Sequence, residues 1–514
     1  MNDMTKETHS FAGVAAGHEE TAKAAVEILD AGGNAFDAAI AGFLAACVAE
    51  PVLASLGGGG FLMAQVPGKP TRIFDFFTQT PSTSSSPDDV DFHAITADFG
   101  TAQQEFHIGL GSVATPGAVA GIFDIHKHLG RLPMSEIVKP AVRLAKSGLP
   151  INDFQAYLLT VVEPIYTETQ ESRRQYCRKI SDDDDTKIKI VGDTFRAPEL
   201  GDFLEVLAIE GPSLFYKGEI ADQIGAFTGC SINKADLARY NVIHRDPISS
   251  VMNNHRISIN PTPAIGGALI MLALSMLDKT DRKDMSFGTV EHVRAMVSIM
   301  DECNAARVKS GIDLNPIEGA EILHEVAGHP PAHRGTTHIS VADNDGNVAA
   351  MTVSNGEGCG AIIPGTGIML NNMLGEEDLN AAGFFNWPLN TRMSSMMSPG
   401  VMVSPDGDVI GFGSGGSNRI RSAVTQFIAN MAFFDMNLSD AVLAPRLHLE
   451  GGKLDVEPDF PSETLKALKD DYIDSKTWPA PNMFFGGVHA IQRSQRGIVT
   501  GAADPRRGGV FIPL

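Results

Sequence analysis

The stretch Gly335-Thr336-Thr337-His338-Ile339-Ser340-Val341-Ala342-Asp343-Asn344-Asp345-Gly346-Asn347-Val348-Ala349-Ala350-Met351-Thr352-Val353-Ser354-Asn355-Gly356 reads as two strands around a turn. Thr, Ile and Val alternate with other residues along the first arm, Asp343 to Gly346 supplies turn chemistry, and Val348 to Val353 forms the second arm. In a core hairpin, Thr336 and Thr337 need be no more than strand formers. A sharper reading makes Thr336 a nucleophile uncovered by chain cleavage. A Thr hydroxyl is a weak nucleophile near neutral pH and needs a base beside it. A free α-amino group titrates at about 7.7–8.0 and can be that base. A cut between Gly335 and Thr336 puts amine and hydroxyl on one residue. Gly335 lacks a Cβ, which leaves that bond open to attack.

Thr-Thr-His-Ile-Ser-Val-x-Asp-x-x-Gly-Asn, from Thr336 to Asn347, resembles the autoprocessing site of the γ-glutamyltranspeptidase family, a branch of the N-terminal-nucleophile hydrolases. The resemblance implies a proenzyme that cuts itself before Thr336, giving a large segment, residues 1–335, and a small one, residues 336–514. It implies an α+β fold, a four-layer αββα sandwich built jointly by the two segments. Thr336 then becomes the nucleophile of an acyl-transfer enzyme that needs no metal or organic cofactor. The implied partners are a small-molecule amide, water or an amine acceptor, and a heterodimer of the cleavage products, with a dimer of these left open.

The family pattern continues on both sides. Ala31-Gly-Gly-Asn-Ala-Phe-Asp-Ala-Ala-Ile-Ala41 and Leu56-Gly57-Gly58-Gly59-Gly60-Phe61 match its N-terminal region. A phosphate loop is set aside, because no Gly-x-x-x-x-Gly-Lys follows the glycines. A close backbone crossing beside a strand at 61–66 fits them better. Ser354 and Asn355 match a hydroxyl that bonds the nucleophile and an Asn near the substrate amine. Glu376 fits an acid that binds the substrate ammonium, while Met373 stands where the family carries an amide or acid. Ser394 and Ser395 match paired serines that contact substrate. Gly411-Phe-Gly-Ser-Gly-Gly-Ser-Asn418 resembles the oxyanion element, whose donors here are the Gly415 and Gly416 N–H groups. Cys359 has no evident partnering His, and His448 reads as structural, because an N-terminal nucleophile carries its own base.

One departure is chemically informative. Asp75-Phe76-Phe77-Thr78-Gln79-Thr80-Pro81 aligns with Asp-Phe-Arg-Glu-x-Ala-Pro, whose Arg clamps the α-carboxylate of a glutamyl group. No neutral side chain replaces a bidentate Arg–carboxylate pair. With Phe77 there, either another Arg reaches in, Arg392 being the candidate, or the donor is not an ordinary γ-glutamyl group. The alternatives are an amidohydrolase of the same fold acting on another small acidic amide such as oxamate, and a non-catalytic binding protein that never matures.

Composition agrees with an enzyme of small molecules. The 514 residues carry 40 basic and 62 acidic side chains, a net charge of −22, which disfavours nucleic acid and anionic membranes as partners. No apolar run reaches the roughly 18 residues of a membrane span. The polar residues 1–10 do not read as a secretory signal, and five scattered cysteines suit a reduced cytoplasm. Periodicity predicts helices over residues 18–31, 35–49, 119–128, 134–147, 200–210, 269–277, 290–308 and 419–431. Thr115 is the expected cap of the third, with Pro116 in its first turn. Residues 82–105 and the acidic run 182–185 read as loops, the latter without cation-site spacing, and 311–335 as an irregular linker.

Overall fold

The computed structural model describes residues 10–98, 103–179, 187–283, 285–313, 315, 316, 318, 319 and 335–514. The acidic run 182–185 and most of the expected linker lie outside them. Two antiparallel sheets face each other. The first has seven strands: β1 (Gly13–Ala16), β2 (Gly59–Gln65), β3 (Arg72–Phe76), β4 (Ile243–Arg245), β7 (Thr337–Ala342), β8 (Val348–Ser354) and β13 (Val510–Pro513). Their order is β4-β3-β2-β8-β7-β1-β13. The second has six: β5 (Ile248–Met252), β6 (His255–Ile259), β9 (Gly400–Val403), β10 (Val409–Gly415), β11 (Gly487–Arg493) and β12 (Val499–Ala503), paired in sequence order. Helices α1 (Glu19–Asp30), α2 (Ala35–Ala49) and α3 (Ala118–Leu129) cover the outer face of the first sheet. Helices α4 (Ile265–Lys279), α5 (Val290–Ser310) and α6 (Arg419–Ala432) lie on the other side, α4 and α6 directly on the second sheet. Strands β7 and β8 pack against β10. The four layers are therefore αββα, as expected, and both sheets mix strands from before and after Thr336.

The quoted hairpin forms the middle of the first sheet. Strands β7 and β8 pair from Thr337 opposite Val353 to Ala342 opposite Val348, and every residue of both is buried. Asp343 locks the turn by accepting from the Asp345 and Asn347 N–H groups and from Asn347 Nδ2, and it also receives the Ala35 N–H at the start of α2. One turn thus sets both the hairpin register and the position of α2. This helix is buried at every residue, which explains its lack of a polar face. The four-glycine run permits the expected crossing: a Cβ at Gly58 would stand 2.2 Å from the Ser354 carbonyl oxygen.

Three expectations need correction. Residues 93–108 are not loop but a hairpin, His93–Asp98 against Gln103–Ile108, whose inward positions include Ala97, Phe106 and Ile108. Thr115 caps no helix; its backbone pairs with Gln79, and α3 starts two residues after Pro116, from Gly117 as cap. The helix over 134–147 is two pieces, Met134–Ile137 and Lys139–Ser147, because Pro140 supplies no N–H for a continuous ladder.

Candidate active site

The bond between Gly335 and Thr336 is held at both ends. The Gly335 N–H donates to Glu357 Oε1 at 2.9 Å, and Ser354 Oγ donates to the Gly335 carbonyl at 2.5 Å. Ser354 ends β8, the neighbour of β7, so strand pairing carries its hydroxyl to the carbonyl that precedes Thr336. No larger residue fits at 335, where a Cβ would lie 2.6 Å from the Gly356 carbonyl oxygen and 2.9 Å from that of Val52. Ser354→Ala removes the only side-chain donor seen on that carbonyl among the described residues. Loss of one such donor costs about 10²–10³-fold in rate, so chain cleavage in this variant is expected to slow at least tenfold, followed by gel densitometry after synthesis. Cleavage at the native rate would remove Ser354 from the reaction.

Thr336 is 3 % exposed and lines a small cavity of about 20 Å³ with Phe77, Ser354, Met373, Glu376, Ser395 and others. Among the described residues Glu376 is the one charged side chain in that lining. Its loop is fixed by Asn380, whose Nδ2 donates to the carbonyls of Met373, Leu374 and Glu376. Phe77 is buried and stacked on Phe61, ring centroids 5.5 Å apart, so the position of the expected clamp is an apolar wall. Gly415 ends β10 against Thr336: a Cβ there would stand 2.2 Å from the Thr336 carbonyl oxygen. Gly416 follows with φ +126°.

Other expected residues stand elsewhere. Asn355 is buried but outside the cavity wall, and neither side-chain polar atom finds a hydrogen-bond partner among the described residues. Ser394 also lies outside that wall. Neighbouring residues of an extended chain point to opposite sides, so Ser354 and Ser395 face the cavity and Asn355 and Ser394 do not. Arg392 is no clamp. Its guanidinium donates to the carbonyls of Phe77 and Asn241 and to the Tyr240 hydroxyl, and pairs with Asp75 at 3.4 Å. Burial pushes the Cys359 thiol up to about 12, against any thiolate role. His448 lies 2.7 Å from Ser422 Oγ and 3.0 Å from Glu450 Oε2, and burial lowers its pKa.

Glu50, Glu357 and Arg507 were not singled out from sequence. Glu50 follows the apolar run of α2, and a lone acid at the end of such a run is the signal that could have found it. It is wholly buried and accepts from Thr21 Oγ1 and Thr337 Oγ1, both at 2.7 Å, tying the residue after Thr336 to α1 and α2. Burial raises its pKa, partly opposed by His18, Thr21, Thr337 and Arg507. A raised folded-state value means that the folded chain holds a proton the unfolded chain has lost. Its stabilising contribution is present below the ordinary carboxylate value and disappears as pH rises through the folded one. Glu50→Gln is therefore expected to flatten the fall of Tm with rising pH above about 4.3, the ordinary Glu value. Parallel Tm–pH curves for the two proteins would show that Glu50 does not titrate.

Two facing sheets between helical layers, with a threonine at the head of a central strand, define an N-terminal-nucleophile hydrolase. Comparison with solved structures agrees: cephalosporin acylase from Bacillus halodurans superposes with a TM-score of 0.78 at 25% identity, covering 98% of this chain and 96% of that one. Among curated proteins, the chain is 29% identical to the glutathione hydrolase proenzyme of Escherichia coli (strain K12) over 94% of its length and 88% of the relative's. It is 28% identical to the capsule biosynthesis protein CapD proenzyme of Bacillus anthracis, covering 97% and 90%. To the acylase ACY 1 proenzyme of Pseudomonas sp. (strain SE83) it is 27% identical, covering 98% and 93%. The family profile described as Gamma-glutamyltranspeptidase matches residues 21–327 and 305–514. The chain belongs to the gamma-glutamyltranspeptidase family, and is an autoprocessing acyl-transfer enzyme of the kind that uses an N-terminal threonine. Among the described residues no helix is long and apolar enough to cross a membrane.

Proposed function

We propose that Thr336 is both the site of self-cleavage and the nucleophile, and that the mature protein transfers a small acyl group from an amide to water or an amine. The observation that carries this reading is the Gly335–Thr336 peptide, clamped by Ser354 and Glu357 while Thr336 lines a cavity with Ser395 and Glu376. In maturation Thr336 Oγ attacks the Gly335 carbonyl carbon, with the Ser354 hydroxyl at its oxygen. The C–N bond breaks, the Thr336 nitrogen takes the hydroxyl proton, and water hydrolyses the resulting ester. In turnover the free amine takes the Thr336 proton and passes it to the leaving nitrogen. The Gly415 and Gly416 N–H groups are the proposed oxyanion donors, and Ser354, Glu376 and Ser395 the substrate contacts. Residues 1–335 and 336–514 stay together as a heterodimer, supported by the strands they share in both sheets.

The acyl group we propose carries an ammonium for Glu376 and no α-carboxylate. Among the described residues the lining of its cavity has an acid and no basic side chain, which also disfavours an acidic amide such as oxamate. Relatives named glutathione hydrolase suggest a γ-glutamyl donor, and Phe77 argues against an efficient one. We place the protein in the cytoplasm, supported by five cysteines scattered without metal-site spacing, four of them buried; fractionation of the native cell tests this. Hydrolysis of a panel of 4-nitroanilides by the mature protein tests the enzymatic reading, and no turnover of any of them would defeat it.

A further inference from the structure

A second cavity, of about 80 Å³, adjoins the same bond. Its walls include Gly335 and Gly416, so it meets both the scissile bond and the proposed oxyanion element. Trp478 and Phe484, stacked with ring centroids 4.8 Å apart, and Leu158 and Val161 make it largely apolar. Arg507 also forms part of the wall and is 5 % exposed. Among the described residues no carboxylate is within ion-pair distance of it, Asp504 and Glu50 acting on it only from farther away, and its Nε has no hydrogen-bond partner. Its terminal nitrogens make only 3.4 Å contacts to the carbonyls of Thr336 and Met483. Neighbouring Arg446 and Arg506, by contrast, are each paired with carboxylates. Burying a guanidinium with no anion in contact is costly, and a ligand carboxylate would offset that cost. Glu357, on the same wall, accepts the Gly335 N–H.

A substrate carbonyl placed on Thr336, with its oxygen toward Gly415 and Gly416, has two substituents. The cavity holding Glu376 and Ser395 takes one, and the other must leave past Gly416. We infer that this second cavity holds the leaving-group half of the amide, with Arg507 binding a carboxylate on that half and Trp478 and Phe484 binding its apolar or aromatic body. The inference rests on Thr336 as nucleophile.

Two chromogenic donors with one acyl group test it on the mature protein: γ-glutamyl 4-nitroanilide and γ-glutamyl 3-carboxy-4-nitroanilide. The carboxylated donor is expected to have at least tenfold higher kcat/KM. Arg507→Gln should bring the ratio near one, and Arg507→Lys should keep part of the preference. Taking the ratio cancels any common effect of Arg507 on the Thr336 backbone. Equal kcat/KM in the native protein, or a preference that survives Arg507→Gln, overturns the inference while leaving the nucleophile in place. If neither donor turns over, the fault lies with the enzymatic reading, and calorimetric binding of 5-amino-2-nitrobenzoate decides the subsite. Binding weakened at least tenfold by Arg507→Gln supports it, and unchanged binding overturns it. Should Arg507→Gln fail to mature, Phe484→Ala serves instead: binding of the same amine should weaken at least fivefold, and unchanged affinity overturns the inference.

Discussion

Thr336→Ala is expected to remain one chain of 514 residues, whereas the native protein is expected to convert to residues 1–335 and 336–514. The alanine has no hydroxyl to attack the Gly335 carbonyl, and no hydrolytic water replaces an attacking group already in van der Waals reach. Amide turnover should fall by about 10⁴-fold or more, the scale on which enzymes lose rate when a nucleophile is removed. Thr336→Ser, which keeps a hydroxyl, should still cleave. N-terminal sequencing of the smaller native piece should begin Thr-Thr-His. Cleavage of Thr336→Ala at the same bond would show that another agent cuts the chain. A native protein that stays intact and turns over nothing would instead favour a binding protein.

The second large effect concerns the donor. A hydrogen bond to a charged group contributes about 1.5–3 kcal/mol, so a glutamyl α-carboxylate set against Phe77 forfeits roughly ten- to a hundredfold in kcat/KM. The carboxylate also approaches Glu376, and like charges add to the penalty. A 4-aminobutyryl anilide keeps the ammonium and lacks the carboxylate. It should therefore exceed the γ-glutamyl anilide by at least tenfold in the native protein. Phe77→Arg should reverse that order, because Phe77 is in the wall and Arg392, whose terminal nitrogens are held by the Phe77 and Asn241 carbonyls, is not. A native preference for γ-glutamyl with no gain in Phe77→Arg would mean that a cation outside the described residues binds the carboxylate.

The hairpin, the buried α2 and the glycine crossing were legible because each rests on local pattern: period-two alternation, an unbroken apolar run, and residues without a Cβ. Strands His93–Asp98 and Gln103–Ile108 were not, since polar residues mask a pair whose buried side chains, among the described residues, are Ala97, Phe106 and Ile108. At the site, linear motifs named the right neighbourhoods but not the facing side chain. Ser394 and Ser395 look equivalent in sequence, and only Ser395 reaches the cavity. Arg392 is close in sequence to that motif, yet its carbonyl partners lie over 150 residues away and decide where it points. Glu50 and Arg507 depend on contacts made only after both sheets form.

The strand order has a consequence for quality control. Ser354 reaches the Gly335 carbonyl only when β7 pairs with β8, and β8 is positioned by β2, a strand from nearly three hundred residues earlier. A chain whose first sheet is misassembled cannot present the bond to its own hydroxyl, and so never acquires the reactive amine. Misfolded copies are born inert rather than promiscuous, and the ratio of cut to uncut protein in a cell becomes a readout of folding success. The cut is also a one-way step. With strands interleaved as β2-β8-β7-β1, pieces made by the proposed cut before Thr336 would not separate or swap partners without dismantling the sheet, so each such molecule would keep the two halves of a single act of synthesis.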